Sequence, residues 1–186
     1  MHRRLFAALI VLLSFSSIAH AQSAAPQAGF DVKAKQVYLI EAETGTVLFA
    51  RAEDETVPAA SLAKLMTMAT VFKALAGGEI TLDTQFPVTE HAWRTGGAPS
   101  RTSTMFAALK SNVRVEDLVR GVIIQFANDA CIILGEGIAG SETAFAERMT
   151  QEARALGLQK SGFANATGLP DPANKVTMRE MVQLAR

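Results

Sequence analysis

From Leu62 to Ala76 the chain contains neither glycine nor proline, and every residue except Lys64, Thr67, Thr70 and Lys73 is Ala, Leu, Met, Val or Phe. Gly77-Gly78 follows, so the run predicts one helix with a glycine C-terminus. A helix that is apolar on nearly every side has to be buried, and any polar group it carries then needs a partner of its own. The four polar residues follow Ser61 at steps of three, which predicts a polar stripe along a core helix that meets something specific. With 186 residues, of which 49% are hydrophobic, the chain can bury such a helix in one globular domain. It shows no internal repeat.

The N-terminus reads Met1-His2-Arg3-Arg4, then a largely apolar run from Leu5 to about Ile18, then Ala19-His20-Ala21 before Gln22. This is the three-part pattern of a secretory signal peptide, with cleavage expected after Ala21. The apolar run is short against the ~20 residues a bilayer needs. The expected organisation is a signal peptide over residues 1–21, a loose Ala/Gln/Ser/Pro leader over 22–30 and a domain over 31–186. Cleavage removes two of the 18 basic side chains and none of the 18 acidic ones, leaving a formal charge of −2. That balance implies no nucleic-acid partner.

Counting His and Cys excludes further chemistry. His2 and His20 leave with the signal peptide, so His91 and Cys131 remain, and a zinc site of His and Cys ligands cannot be built from one of each. His91 lies in the polar stretch Thr89–Arg94 and reads as a surface or loop residue. Cys131 precedes Ile132-Ile133-Leu134 and reads as a small buried thiol.

Gln36–Ile40 and Thr46–Ala50 are rich in β-branched and aromatic residues and predict a hairpin with Gly45 in its turn. No element is assigned between Ile80 and Arg114. Val115-Glu116-Asp117 opens a helix running to about Ile124, Asp129 caps a second that ends between Gly135 and Gly140, and Gln125–Asn128 forms the corner between them. Ser141 caps a third helix that closes at Leu156-Gly157. Thr177-Met178-Arg179-Glu180 is a capping box, and the chain stops at Arg186 without a C-terminal signal, so a helix cut in its middle is expected there.

Ser61 and Lys64 are one helical turn apart on one side of the buried helix, as a nucleophile and its base would be. The helix macrodipole and apolar surroundings both disfavour the lysine charge, and both push toward a neutral amine able to accept a serine proton. Backbone N–H groups at the same N-terminus could receive an oxyanion. Taken alone, S-x-x-K is a weak signal, with on the order of one chance match in a chain of this length. Here it occurs once, on a helix that reads as buried.

Pro58-Ala59-Ala60-Ser61-Leu62-Ala63-Lys64-Leu65-Met66-Thr67 resembles the first motif of the low-molecular-weight penicillin-binding proteins, the serine-type D-Ala-D-Ala carboxypeptidases. Val115–Gly121, Gln125–Ala130, Glu136–Glu142 and Asn165–Pro172 are similar to later blocks of that family, in its order. The resemblance implies a mixed α and β fold of the serine β-lactamase and penicillin-binding type, with the helical region present and the antiparallel sheet incomplete. It implies that Ser61 attacks the carbonyl of the penultimate D-Ala of a peptidoglycan stem peptide, with Lys64 as general base and Asn128 holding the substrate's peptide amide. β-Lactams would acylate Ser61 as substrate mimics, and no cofactor or metal is implied.

Two departures from the family pattern bear on activity. Phe126 stands where the family has the Ser of S-x-N, and it offers no hydroxyl to pass a proton to the leaving amine. The family's K-T-G, on a strand beyond the point where this chain stops, is absent, so the chain is expected to be the N-terminal part of such a domain. The alternatives are a non-catalytic binder of stem peptide or β-lactam, for which Phe126 speaks, and a β-lactamase, against which the Gly168–Pro172 block speaks.

Overall fold

The computed structural model describes residues 32–186, and the expected signal peptide and leader lie outside the described residues. The predicted hairpin is present as β1 (Val37–Ile40) and β2 (Val47–Arg51). It pairs antiparallel from Val37 opposite Arg51 to Ile40 opposite Val47, with an irregularity after Leu39. Its turn closes because the Glu41 carboxylate accepts the Glu43 and Thr44 N–H groups and because Gly45 takes a φ of +75°, where a β-carbon is unfavourable.

After the hairpin come β3 (Val57–Pro58), a 3-10 turn over Ala60–Leu62 and α1 (Ala63–Ala76), which ends at Gly77. The predicted core helix is therefore present, with its first turn tightened. It is not covered all round. Met66 and Val71 are fully buried, whereas Leu65 and Phe72 are 40% and 48% exposed, so one apolar face lines a surface groove.

Between Ile80 and Arg114, where the sequence assigned nothing, β4 (Gln85–Pro87) and β5 (Asn112–Arg114) pair antiparallel, and α2 (Glu90–Thr95) lies between them. Strands of three residues are too short to show an alternating pattern. The start of α2 did carry a signal: Thr89 accepts the Ala92 N–H, with Glu90 in the first turn.

Three helices follow, α3 (Val115–Gln125), α4 (Asn128–Ala139) and α5 (Glu142–Ala155). Every residue of α4 from Asn128 to Gly135 is buried, and this helix packs against α1, α2, α3 and α5. Ser141 caps α5 as expected, accepting the Ala144 N–H at 3.1 Å. The expected cap of α4 needs correction. Ala127 is the extended N-cap residue, and Asp129 sits inside the first turn with its side chain turned outward to the 104–107 segment. Its carboxylate accepts from Thr104 Oγ1 and from the Met105 and Ala107 N–H groups as well as from Ala130 N–H. A buried carboxylate needs more donors than one helix turn supplies, and the neighbouring loop provides them.

β6 (Lys175–Val176) pairs antiparallel with β3, and α6 (Met178–Ala185) closes the described chain. Thr177 caps α6 by accepting the Glu180 N–H at 3.2 Å. The reciprocal half of the capping box is not made: the Glu180 carboxylate accepts from Lys160 N–H, Ser161 N–H and Ser161 Oγ instead. Arg179 secures the same helix to the hairpin, lying 4.7 Å from the Tyr38 ring centre and pairing with Glu53 and Asp54. The architecture is the expected mixed α and β one, with helices dominant. Its sheets among the described residues are three separate antiparallel pairs, and its core lies between α1, α4 and α5 around Met66, Ile132, Phe145 and Met149.

Candidate active site

The approach to Ser61 is fixed from behind. Pro58 pairs with Lys175, and the Ala59 N–H donates to the Asn174 carbonyl at 3.0 Å, so the chain enters the 3-10 turn from a short ladder. Ala60 then takes a φ of +44°, a left-handed conformation that costs a non-glycine residue about 1 kcal/mol. The turn exposes Ser61 and directs Lys64 inward, where the residue is only 5% exposed. Leu62 N–H and Ala63 N–H are engaged by carbonyls of the turn itself, so these two donors are not available to an oxyanion, as the bare helix terminus had suggested.

The dyad is assembled. Lys64 Nζ stands 3.4 Å from Ser61 Oγ and donates to the Thr167 carbonyl at 2.8 Å. Desolvation by burial holds the lysine pKa below its ordinary value, and the Cys131 thiol on α4 is its electrostatic neighbour. Burial pushes that thiol up to about 12, so it stays neutral, as the buried reading of Cys131 requires. An amine in this state can take the Ser61 proton.

The polar stripe meets what the sequence required of it. Thr67 Oγ1 donates to the Ala166 carbonyl at 2.6 Å, one residue before the carbonyl that holds Lys64. Lys73 reaches Glu152 of α5 at 3.6 Å. Steps of three on a helix of 3.6 residues per turn drift by about 60° each, so the series winds from the groove, through the core, to the far surface. Thr70 is its exception, with a buried hydroxyl that has no hydrogen bond among the described residues.

A groove of about 690 Å³ opens over the dyad, between α1 and α3, with Ser61, Lys64, Leu65, Phe72, Ile123 and Phe126 among its lining. Phe126 ends α3 with a φ of +53° and is 54% exposed. Asn128 is not part of that lining. It begins α4 almost completely buried, its Nδ2 donating to Thr102 Oγ1 at 2.9 Å while its Oδ1 has no partner among the described residues. No hydrogen bond joins it to Ser61 or Lys64. Further along α4, Cys131 lies within electrostatic range of Lys64. His91 lies on α2 with its ring half exposed and its Nε2 2.8 Å from Glu142, remote from any triad role. Lys160-Ser161-Gly162, the string nearest to K-T-G, is engaged elsewhere, with Lys160 Nζ on the Asp54 carbonyl and Ser161 on Glu180.

Sequence reasoning missed the Asn165–Leu169 turn as the partner of the stripe. Asn-Ala-Thr-Gly is a turn signal, and a polar stripe on a core helix demanded backbone acceptors, but nothing in the sequence joins two segments so far apart.

Comparison with known proteins bears on this arrangement directly. A family described as D-alanyl-D-alanine carboxypeptidase matches residues 20–186. The chain is 33% identical over 178 residues to the D-alanyl-D-alanine carboxypeptidase DacF of Bacillus subtilis (strain 168), covering 95% of this chain and 44% of that protein. It is 38% identical over 156 residues to DacC of Escherichia coli (strain K12), covering 83% of this chain and 39% of that protein. Penicillin binding protein 5 from Haemophilus influenzae superposes with a TM-score of 0.80 at 33% identity, over 85% of this chain and 45% of that one. The chain thus spans less than half the length of each of these proteins.

Proposed function

Because this chain belongs to the D-alanyl-D-alanine carboxypeptidase family, we propose that it carries the acylating machinery of a serine carboxypeptidase for peptidoglycan stem peptides ending in D-Ala-D-Ala. Ser61 Oγ attacks the penultimate D-Ala carbonyl and its proton passes to Lys64 in its neutral form, which burial favours. The C–N bond breaks, terminal D-Ala leaves carrying a proton, and water then hydrolyses the Ser61 ester. Asn128 receives the substrate's peptide amide at Oδ1, which has no partner among the described residues; because this oxygen is buried outside the groove lining, the role requires the α3–α4 corner to open toward the groove. β-Lactams acylate the same oxygen, in keeping with the name of the penicillin-binding relative. The observation that carries this reading is the Lys64 amine, desolvated and held within reach of an exposed serine hydroxyl.

The protein works in the periplasm after residues 1–21 are removed, and N-terminal sequencing of the exported form should begin at Gln22. The acylation reading is tested by mass spectrometry of the chain incubated with a labelled penicillin, beside Ser61→Ala. An adduct mapped to Ser61 and absent from the variant is expected; a folded chain that stays unlabelled overturns the reading. A second reading, a non-catalytic binder of stem peptide or β-lactam, is favoured by one observation. The exposed Phe126 ring lines the groove at the position where the resemblance calls for a hydroxyl. Saturable, non-covalent penicillin binding without an adduct would select it.

A further inference from the structure

The acceptor of the Lys64 ammonium is a backbone carbonyl, and a carbonyl is only as well placed as the turn that carries it. One side chain makes most of the bonds that organise that turn, with Glu142 Oε1 accepting the Ala166 N–H at 3.1 Å beside it. Asn165 Oδ1 accepts from Thr167 N–H at 3.2 Å, Thr167 Oγ1 at 3.0 Å and Gly168 N–H at 2.8 Å, while Asn165 Nδ2 donates to the Leu169 carbonyl at 3.1 Å. Asn174 Nδ2 donates to the same Leu169 carbonyl at 2.8 Å. An asparagine that folds the following backbone around its own carbonyl oxygen fixes where the next peptide groups point, here the Ala166 carbonyl at Thr67 and the Thr167 carbonyl at Lys64.

The same turn touches the nucleophile's backbone. Gly168 has a φ of +79° and is packed so closely on Ala60 that a β-carbon there would overlap the Ala60 carbonyl oxygen. Ala60 is the residue held in the left-handed region immediately before Ser61. One five-residue turn thus presses on the strained residue that presents the nucleophile and holds the amine that serves it. Conformations of this cost persist only where the surroundings over-determine them.

We propose that Asn165 is a positioning residue of the Ser61–Lys64 pair, acting through the 165–169 turn to hold the Lys64 amine on the Thr167 carbonyl and the Ala60–Ser61 backbone in its strained form. This rests on the Ser61 acylation reading for its consequence in rate, but its geometry does not depend on it. Among the described residues, Cys131 of α4 is the titratable group that acts on Lys64, while Thr167 contributes a neutral carbonyl and Ser61, in the preceding turn, a hydroxyl at 3.4 Å.

The test follows the Lys64 Cε signal by NMR through a pH titration of selectively 13C-lysine-labelled chain, assigned by its loss in Lys64→Met. Labelling of Ser61 by a fluorescent penicillin is recorded at each pH. In the parent chain the midpoint lies below 10.5, the ordinary lysine value. In Asn165→Ala the turn loses its organiser, water reaches the ammonium, the midpoint moves up toward 10.5, and labelling near neutral pH falls on the order of tenfold or more. Unchanged midpoint and labelling in a folded Asn165→Ala overturn the proposal. So does slower labelling at an unchanged midpoint, because a merely structural defect slows the reaction without re-solvating the amine. If circular dichroism shows Asn165→Ala unfolded, Asn165→Ser decides: its hydroxyl can accept one turn N–H but not replace the Leu169 donor, so an intermediate midpoint is expected and the parent value refutes. A midpoint that moves in a chain that never labels keeps the positioning role and discards the acylation reading.

Discussion

The two walls of the Ser61 groove are built on opposite principles. On the α1 wall the amine, the Thr67 hydroxyl and the turn that receives them are joined by short bonds within the chain, and Lys64 is almost completely buried. On the α3–α4 wall Phe126 holds a left-handed backbone with its ring half in solvent, and behind that wall the Asn128 carbonyl oxygen is buried without a partner among the described residues. The first wall is complete without any ligand, as a base poised before substrate arrives should be. The second leaves an apolar surface and, behind it, a buried acceptor without a partner among the described residues. The proton chemistry is therefore fixed by the fold, whereas what the groove accepts is decided at the α3–α4 corner.

The largest expected effect breaks the first wall. Lys64→Met should lower penicillin labelling of Ser61 by about 10²- to 10⁴-fold, since a general base of this kind contributes about that much. Thermal unfolding should move little or rise, because a buried amine is itself a stability cost. Labelling that survives in Lys64→Met would place the base elsewhere and remove the contrast between the walls. Next in size, Asp129→Ala leaves buried donors of the 104–107 segment unpaired, at about 3 kcal/mol or more, read from denaturant unfolding. A loss well under that would mean that the second wall does not depend on the loop behind it.

The pH dependence sharpens the same comparison. The Lys64 pKa is lower in the folded chain than its ordinary value of 10.5, through desolvation. Below the folded value both states are protonated and the folded state bears the full desolvation cost. As pH rises from the folded value toward 10.5 the unfolded state binds more protons, so this group's contribution to stability grows with pH, and labelling grows with it as the amine becomes neutral. In Lys64→Met both rises should vanish together.

Local signals made most of the first wall legible in the sequence and little of the second. The apolar run between Pro58 and Gly77, the S-x-x-K spacing and the hydroxyl caps at Ser141 and Thr177 depend on near neighbours, and each appears as an element or a bond. The demand for partners along the α1 stripe was also legible; their identity was not, because Thr167 is 103 residues from Lys64 and presents only its backbone. Asp129 and Glu180 show the same limit from the other side. Each sits where a local cap was expected, and each instead uses its carboxylate on a segment brought near by packing, Asp129 on the 104–107 loop and Glu180 on Lys160 and Ser161. A carboxylate inside a core takes the donors that surround it, whichever part of the chain supplies them. β4 and β5 escaped notice because three residues carry no period.

The smallest stability effect concerns Phe126, and it separates backbone from side chain at the second wall. A left-handed conformation costs a β-carbon-bearing residue about 1 kcal/mol that glycine avoids, so Phe126→Gly should gain about that much, offset by what the half-buried ring contributes to the groove. Phe126→Ser keeps the strained backbone, removes the ring and supplies a hydroxyl. If the ring obstructs and the missing hydroxyl limits, serine should raise Ser61 labelling and glycine should raise it less, because only serine can relay a proton to the leaving amine. Equal gains would assign the effect to the ring's bulk. No gain in either, with Lys64 still titrating below 10.5, would mean that the α3–α4 corner does not limit acylation and that the base wall alone sets the rate.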